Sequence, residues 1–137
     1  MPETPPRMTH RILTCTCEGT MPVDTAALHK AGLPTSARPA HQLCRAQLEN
    51  FRGALGEFAA VTVTCTQEAA LFSELAEDAG FDGSLRFVNI RETAGWSEAA
   101  GKAGPKMAAL IAMAGVEPAG FDVVSMESGG VALVLGA

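Results

Sequence analysis

The sequence contains no cluster of basic residues: its ten lysines and arginines occur as scattered singles, and fifteen acidic side chains outnumber them. A nucleic-acid surface needs clustered positive charge, so that class of partner is set aside. No apolar stretch approaches the roughly 18 to 20 residues needed to span a bilayer. The opening Met1-Pro2-Glu3-Thr4-Pro5-Pro6-Arg7 lacks the apolar run of a secretory signal. No membrane span is expected, and the expected compartment is the cytoplasm. No Gly-x-Gly-x-x-Gly follows a strand, which removes the dinucleotide-binding fingerprint. Cysteine is scarce as well. Four thiols in a chain of 137 residues are too few for a disulfide scaffold and read as metal-binding or redox-active.

What remains is a chain 47% hydrophobic and 18% charged, long enough for one domain with its own core. Residues 1–10 hold three prolines and no periodicity, and read as a disordered lead-in. A first strand is expected over 11–16. Pro22 and Asp24 then open a short helix carrying Val23, Ala26, Ala27 and Leu28, which Gly32 and Pro34 end. Residues 33–40 read as loop, and a short second strand is expected near 40–43. Leu48, Phe51, Leu55 and Phe58 recur at the helical period, with Arg45, Gln47, Glu49 and Arg52 on the outer face, so a helix is expected from Cys44 onward.

The β-branched run 59–64 is a third strand. Thr66 is positioned as N-cap of the next helix, which Gly80 closes. A fourth strand is expected over 84–90, then a helix over 97–114 interrupted near Pro105, which has no amide hydrogen to donate. Residues 121–126 and 131–135, joined through Gly129-Gly130, read as a β-hairpin closing the domain or starting a following one, over 119–137. Strands alternating with helices predict an α/β, Rossmann-like three-layer domain over 11–118 with a mainly parallel sheet.

Such sheets bind ligands beyond the carboxyl ends of their strands. Cys15 and Cys17 end the first strand, Cys44 the second and Cys65 the third, so topology alone is expected to gather all four at one sheet edge. A single buried cysteine usually behaves as a small hydrophobe. Four at one edge point instead to metal or cluster ligation, with thiol-disulfide chemistry as an alternative. A zinc ion, with Zn–S bonds of about 2.3 Å, needs its sulfurs nearly touching. Side chains two apart in an extended strand start roughly 6.6 Å apart, which suits a cluster slightly better. Gly19 lets the backbone bend, however, and Cys-x-x-Cys is absent, so spacing alone identifies neither partner.

His41, three residues before Cys44, is a further candidate ligand, although a lone histidine at a loop end is more often solvated. His10 and His29 read as surface. Asp24, Glu68 and Glu92 do not pair at acid–base spacings. At the end of the fourth strand, Arg91 has two readings, a counter-charge for a thiolate-bound group or a helix-start ion pair. Trp96 likewise reads as a water shield for that group or as core.

Cys15-x-Cys17 after an apolar strand, Cys44 before a helix, Cys65 after Val-Thr-Val-Thr, and Asn89-Ile90-Arg91-Glu92 with Trp96 and Lys106 together resemble a known family. It is the N-terminal domain of the A subunit of heterodisulfide reductase and related 4Fe-4S ferredoxin-type proteins. The resemblance covers about residues 11–114. It implies an α/β domain carrying one 4Fe-4S cluster on Cys15, Cys17, Cys44 and Cys65, within a larger flavin and multi-cluster electron-transfer protein. Glu18 stands where the family has glycine directly after Cys-x-Cys, and Thr66-Gln67-Glu68 replaces a Ser-Pro-like turn. The family's flavin domain and ferredoxin motifs are not in these residues. The implied role is therefore electron transfer with redox protein partners or adjoining redox domains, and not a complete enzyme reaction. A structural zinc site in a protein-interaction domain and a thiol-disulfide redox protein are the alternatives.

Overall fold

Three of the short β-branched and apolar runs become strands in the computed structural model, which describes residues 7–117, 119–120 and 123–136. The strands are β1 (Met8–Leu13), β2 (Phe58–Val63) and β3 (Ser84–Phe87), hydrogen-bonded in the order β1-β2-β3. Both pairings are parallel, with Ile12 opposite Thr62 and Val63 opposite Phe87. The expected α/β character and parallel sheet are present. Among the described residues, no helix is long and apolar enough to cross a membrane.

Successive strand residues point to opposite faces, and the two faces feed two cores. Leu13, Val61 and Val63 join Phe51 and Leu55 of α2 (Leu48–Glu57) and Phe72 of α3 (Ala69–Asp78). Ile12 joins Leu28 of α1 (Thr25–Lys30) with Met107 and Ile111 of α4 (Gly104–Ala114). The Phe51 and Phe72 rings meet at 4.8 Å between centroids, and both side chains are fully buried. Burying each stabilises the fold by roughly 1.5–3 kcal/mol, and Phe72→Ala is expected to cost about 3–5 kcal/mol through the cavity it leaves.

Several elements differ from the sequence expectation. β1 starts at Met8, inside the stretch read as lead-in, because Met8 and His10 find partners in Phe58 and Ala60 of β2. The second strand expected near 40–43 is not formed, so Cys44 does not end a strand: Ala40 makes an isolated parallel bridge to Cys15, and a further isolated bridge joins Ile12 to Thr35 within the stretch read as loop. Beyond Ala40 the chain turns back on itself, Arg45 N and Gln47 N both donating to Gln42 O, which leaves no extended stretch to pair. The helix expected from Cys44 begins at Leu48, and Phe58, assigned to it by periodicity, is the first residue of β2. Glu68, not Thr66, is the N-cap of α3.

The fourth-strand run ends at Phe87, and a five-residue π-helical turn, Arg91–Gly95, follows. The helix expected over 97–114 is split into a 3₁₀ turn, Ala100–Lys102, and α4, which starts afresh with Pro105 in its first turn, as proline's missing donor requires. His10 is half-buried and bonded to Thr62 Oγ1 at 2.9 Å, where the sequence reading placed it on the surface. Residues 123–136 carry no strand, and Val123, Met126 and Val131 are exposed. The hairpin expected there is not formed over the described residues, and its Phe121 and Asp122 lie outside them. An isolated two-stranded hairpin with nothing packed on it is marginal in water, which accounts for the difference.

Candidate functional site

The carboxyl ends of β1 and β2 open into a cleft of about 210 Å³, and Cys15, Cys17, Cys44 and Cys65 all line it. The topology that aligns the two strands sets this arrangement: Thr64 N donates to Leu13 O at 3.0 Å, so Cys15 and Cys65 leave neighbouring strand ends at nearly the same level. Cys44 arrives from the other side of β1. Ala40 is bridged to Cys15, and the following turn, residues 42–47, carries Cys44 over the strand ends. All four cysteines are half-buried free thiols. A second hollow of about 460 Å³ lies between β1 and α2, lined by Arg11, Arg38 and Glu57, and holds no cysteine.

The Cys-x-Cys segment does not stay extended. Cys17, Glu18 and Gly19 have φ of 50°, 61° and 75°, so three consecutive residues turn through the left-handed region and only one is glycine. Such conformations at non-glycine residues cost of order 1–3 kcal/mol each and persist only where neighbouring bonds enforce them. Here Glu18 N donates to His41 O at 2.7 Å, Gly19 N to Thr16 Oγ1 at 3.1 Å, and Thr20 Oγ1 to Cys17 O at 2.7 Å.

Three donors point at the sulfurs of this loop. Cys17 N and Leu43 N lie 3.3 Å and 3.5 Å from Cys15 Sγ, and Arg91 Nη1 lies 3.3 Å from Cys17 Sγ. The Arg91 guanidinium also grips Glu92 Oε1 and sits 4.2 Å over the Trp96 ring, whose Nε1 donates to Thr20 Oγ1 at 3.0 Å. The bond to Glu92, then that to Cys17, raises the Arg91 pKa further, so the residue stays charged. Trp96 is 51% exposed, so it is not part of the core.

Cys44 sits in a different field. Burial raises its pKa, and the carboxylate of Glu68 and the thiols of Cys65 and Cys15 raise it further, against a backbone hydrogen bond that lowers it. As the side chains stand, no three His, Cys, Asp or Glu among the described residues are gathered closely enough to hold a single metal ion. His41 lines the cleft, with Nδ1 3.4 Å from Thr16 Oγ1.

The sequence reading missed three contributors. Thr64 lines the cleft as a buried residue whose hydroxyl has no hydrogen-bond partner. Its position directly before Cys65 was the available signal. Met21 lines the cleft floor, and Gly95 approaches it so closely that a Cβ there would lie 2.4 Å from Met21 Sδ. Gln47 was placed on the outer face of a helix and instead fastens the Cys44 turn.

No family model, curated protein or solved structure matches this chain. The site therefore rests on its own geometry.

Proposed function

We propose that this chain is an electron-transfer module that holds one 4Fe-4S cluster on Cys15, Cys17, Cys44 and Cys65. The observation that carries the reading is the single cleft lined by all four thiols at the strand ends of a parallel sheet. The donor set fits such a group. Thiolates are the ligands a cluster takes, and three N–H donors already point at two of the four sulfurs. A zinc ion, with Zn–S bonds of about 2.3 Å, would need the four sulfurs drawn close together, whereas a cluster takes its thiolates from a wider circle.

When bound, the cluster would supply reversible one-electron redox chemistry, taking an electron from a reduced redox protein and passing it to an oxidised one. The chain's own residues bind and orient it. Arg91 places a fixed positive charge beside Cys17, and Trp96 covers that guanidinium on its outer side. In this reading the two cores on opposite sheet faces make a Rossmann-like three-layer domain, working in the cytoplasm with redox protein partners or adjoining redox domains. No substrate bond is made or broken here, so the module is not a complete enzyme.

The test is anaerobic reconstitution with iron and sulfide of the wild type and of single Cys→Ser variants at the four positions. The reading expects a brown wild type, and variants that load poorly or lose the cluster quickly. Four variants that load like the wild type would remove the assignment. Rapid alkylation of one cysteine, coupled to disulfide formation, would favour a thiol-redox protein instead.

A further inference from the structure

The turn that carries Cys44 is closed by one side chain. Gln47 N donates to Gln42 O at 3.0 Å, while Gln47 Oε1 accepts from His41 N at 2.6 Å and from Gln42 N at 2.8 Å. Residues 41 and 42 are a bend leading into the turn over 43–47, so these two amides have no ladder partner, and one side-chain oxygen satisfies both. The same short stretch is fastened to the Cys-x-Cys loop on its far side. His41 O accepts from Glu18 N at 2.7 Å, Gln42 Nε2 donates to Glu18 Oε1 at 2.9 Å, and Leu43 N points at Cys15 Sγ from 3.5 Å. Gln47 therefore acts on the backbone that sets where Cys44 stands relative to Cys15 and Cys17.

We propose that Gln47 is a positioning residue that holds Cys44 in register with Cys15 and Cys17 for ligation, a role that rests on the cluster reading of the cleft. Its oxygen is the working atom. A carboxylate at the same place accepts the same two amides, whereas an aliphatic side chain of similar size leaves both without a partner. Cys65 hangs from the end of β2 through the Thr64 N to Leu13 O bond and does not depend on Gln47.

Gln47→Leu and Gln47→Glu in the full chain test this. In metal-free protein at one fixed pH, iodoacetamide labelling read by mass spectrometry is expected to modify Cys44 several-fold faster in Gln47→Leu than in the wild type, with the Cys65 rate unchanged. The reconstituted Gln47→Leu protein is expected to lose iron to a chelator several-fold faster, and Gln47→Glu to restore both rates. In the wild type, the His41 and Gln42 amides are expected to be protected from hydrogen exchange. An unchanged Cys44 rate, equal acceleration of Cys44 and Cys65, a Gln47→Glu protein no better than Gln47→Leu, or rapid exchange of both amides overturns the proposal. A wild type that takes no cluster brings down the reading of the cleft, while the labelling rates still decide the role of Gln47.

Discussion

Arg91 Nη1 lies 3.3 Å from Cys17 Sγ across 74 positions of sequence, and the same guanidinium is held between Glu92 and the face of Trp96. A fixed positive charge beside a ligating sulfur stabilises the more negative, reduced form of whatever that sulfur binds. If the cleft holds the proposed cluster, Arg91→Met is therefore expected to leave it assembled and make its reduction potential more negative. A difference of about 1.4 kcal/mol corresponds to about 60 mV for one electron. Redox titration monitored by visible absorption measures the shift, and an unmoved potential removes Arg91 from the account.

The raised Cys44 thiol gives a pH prediction in the metal-free protein. Burial and the Glu68 charge disfavour the thiolate, so its alkylation rate is expected to rise with a midpoint above the ordinary value of 9.0. Glu68→Gln removes one cause and is expected to move the midpoint down. The sign for stability follows from linkage: the folded state keeps this proton longer than the unfolded chain. The contribution is full below the unfolded thiol's pKa and lost as pH rises through the raised one. Rates measured from pH 7 to 10.5 check it.

His10 works in the opposite direction. Burial, and then the charge of Arg86, lower its pKa below 6.5, and its ring is bonded to Thr62 Oγ1. The unfolded chain binds this proton more readily. Stability is thus present above pH 6.5 and declines as pH falls through the lowered value. His10→Gln is expected to flatten the thermal-melt dependence between pH 7 and 5, and an unchanged slope rules out His10 as its source.

Gly95 ends the turn that aims Arg91, and a Cβ there would meet Met21 Sδ at 2.4 Å and Met21 Cβ at 2.9 Å. Gly95→Ala is expected to cost about 1–3 kcal/mol by overpacking, read by chemical denaturation. In a Met21→Ala background, which makes room, the added cost of Gly95→Ala is expected to be smaller than in the wild type. A neutral Gly95→Ala variant contradicts the tight approach.

The parallel strands and the shared edge were legible because β-branched runs and helical periodicity alternate along the chain, and strand order then places Cys15 and Cys65 side by side. Loops were less legible. Gln47 looked like an outer-face residue because Leu48, Phe51 and Leu55 keep helical spacing, which says nothing about whether the preceding turn has already become helix. The reversal of Cys17 and Glu18 into the left-handed region is held in part by Glu18 N donating to His41 O, a partner far along the sequence, while Gly19 and the Thr16 and Thr20 bonds are the local part of it. Trp96 reads as water shield or core with equal ease until its ring is placed against Arg91.

Iron and acid-labile sulfide analysis of anaerobically purified protein tests the central claim most directly. The account predicts a brown protein with about four irons and about four sulfides per chain. A colourless protein holding one stoichiometric zinc per chain would contradict it.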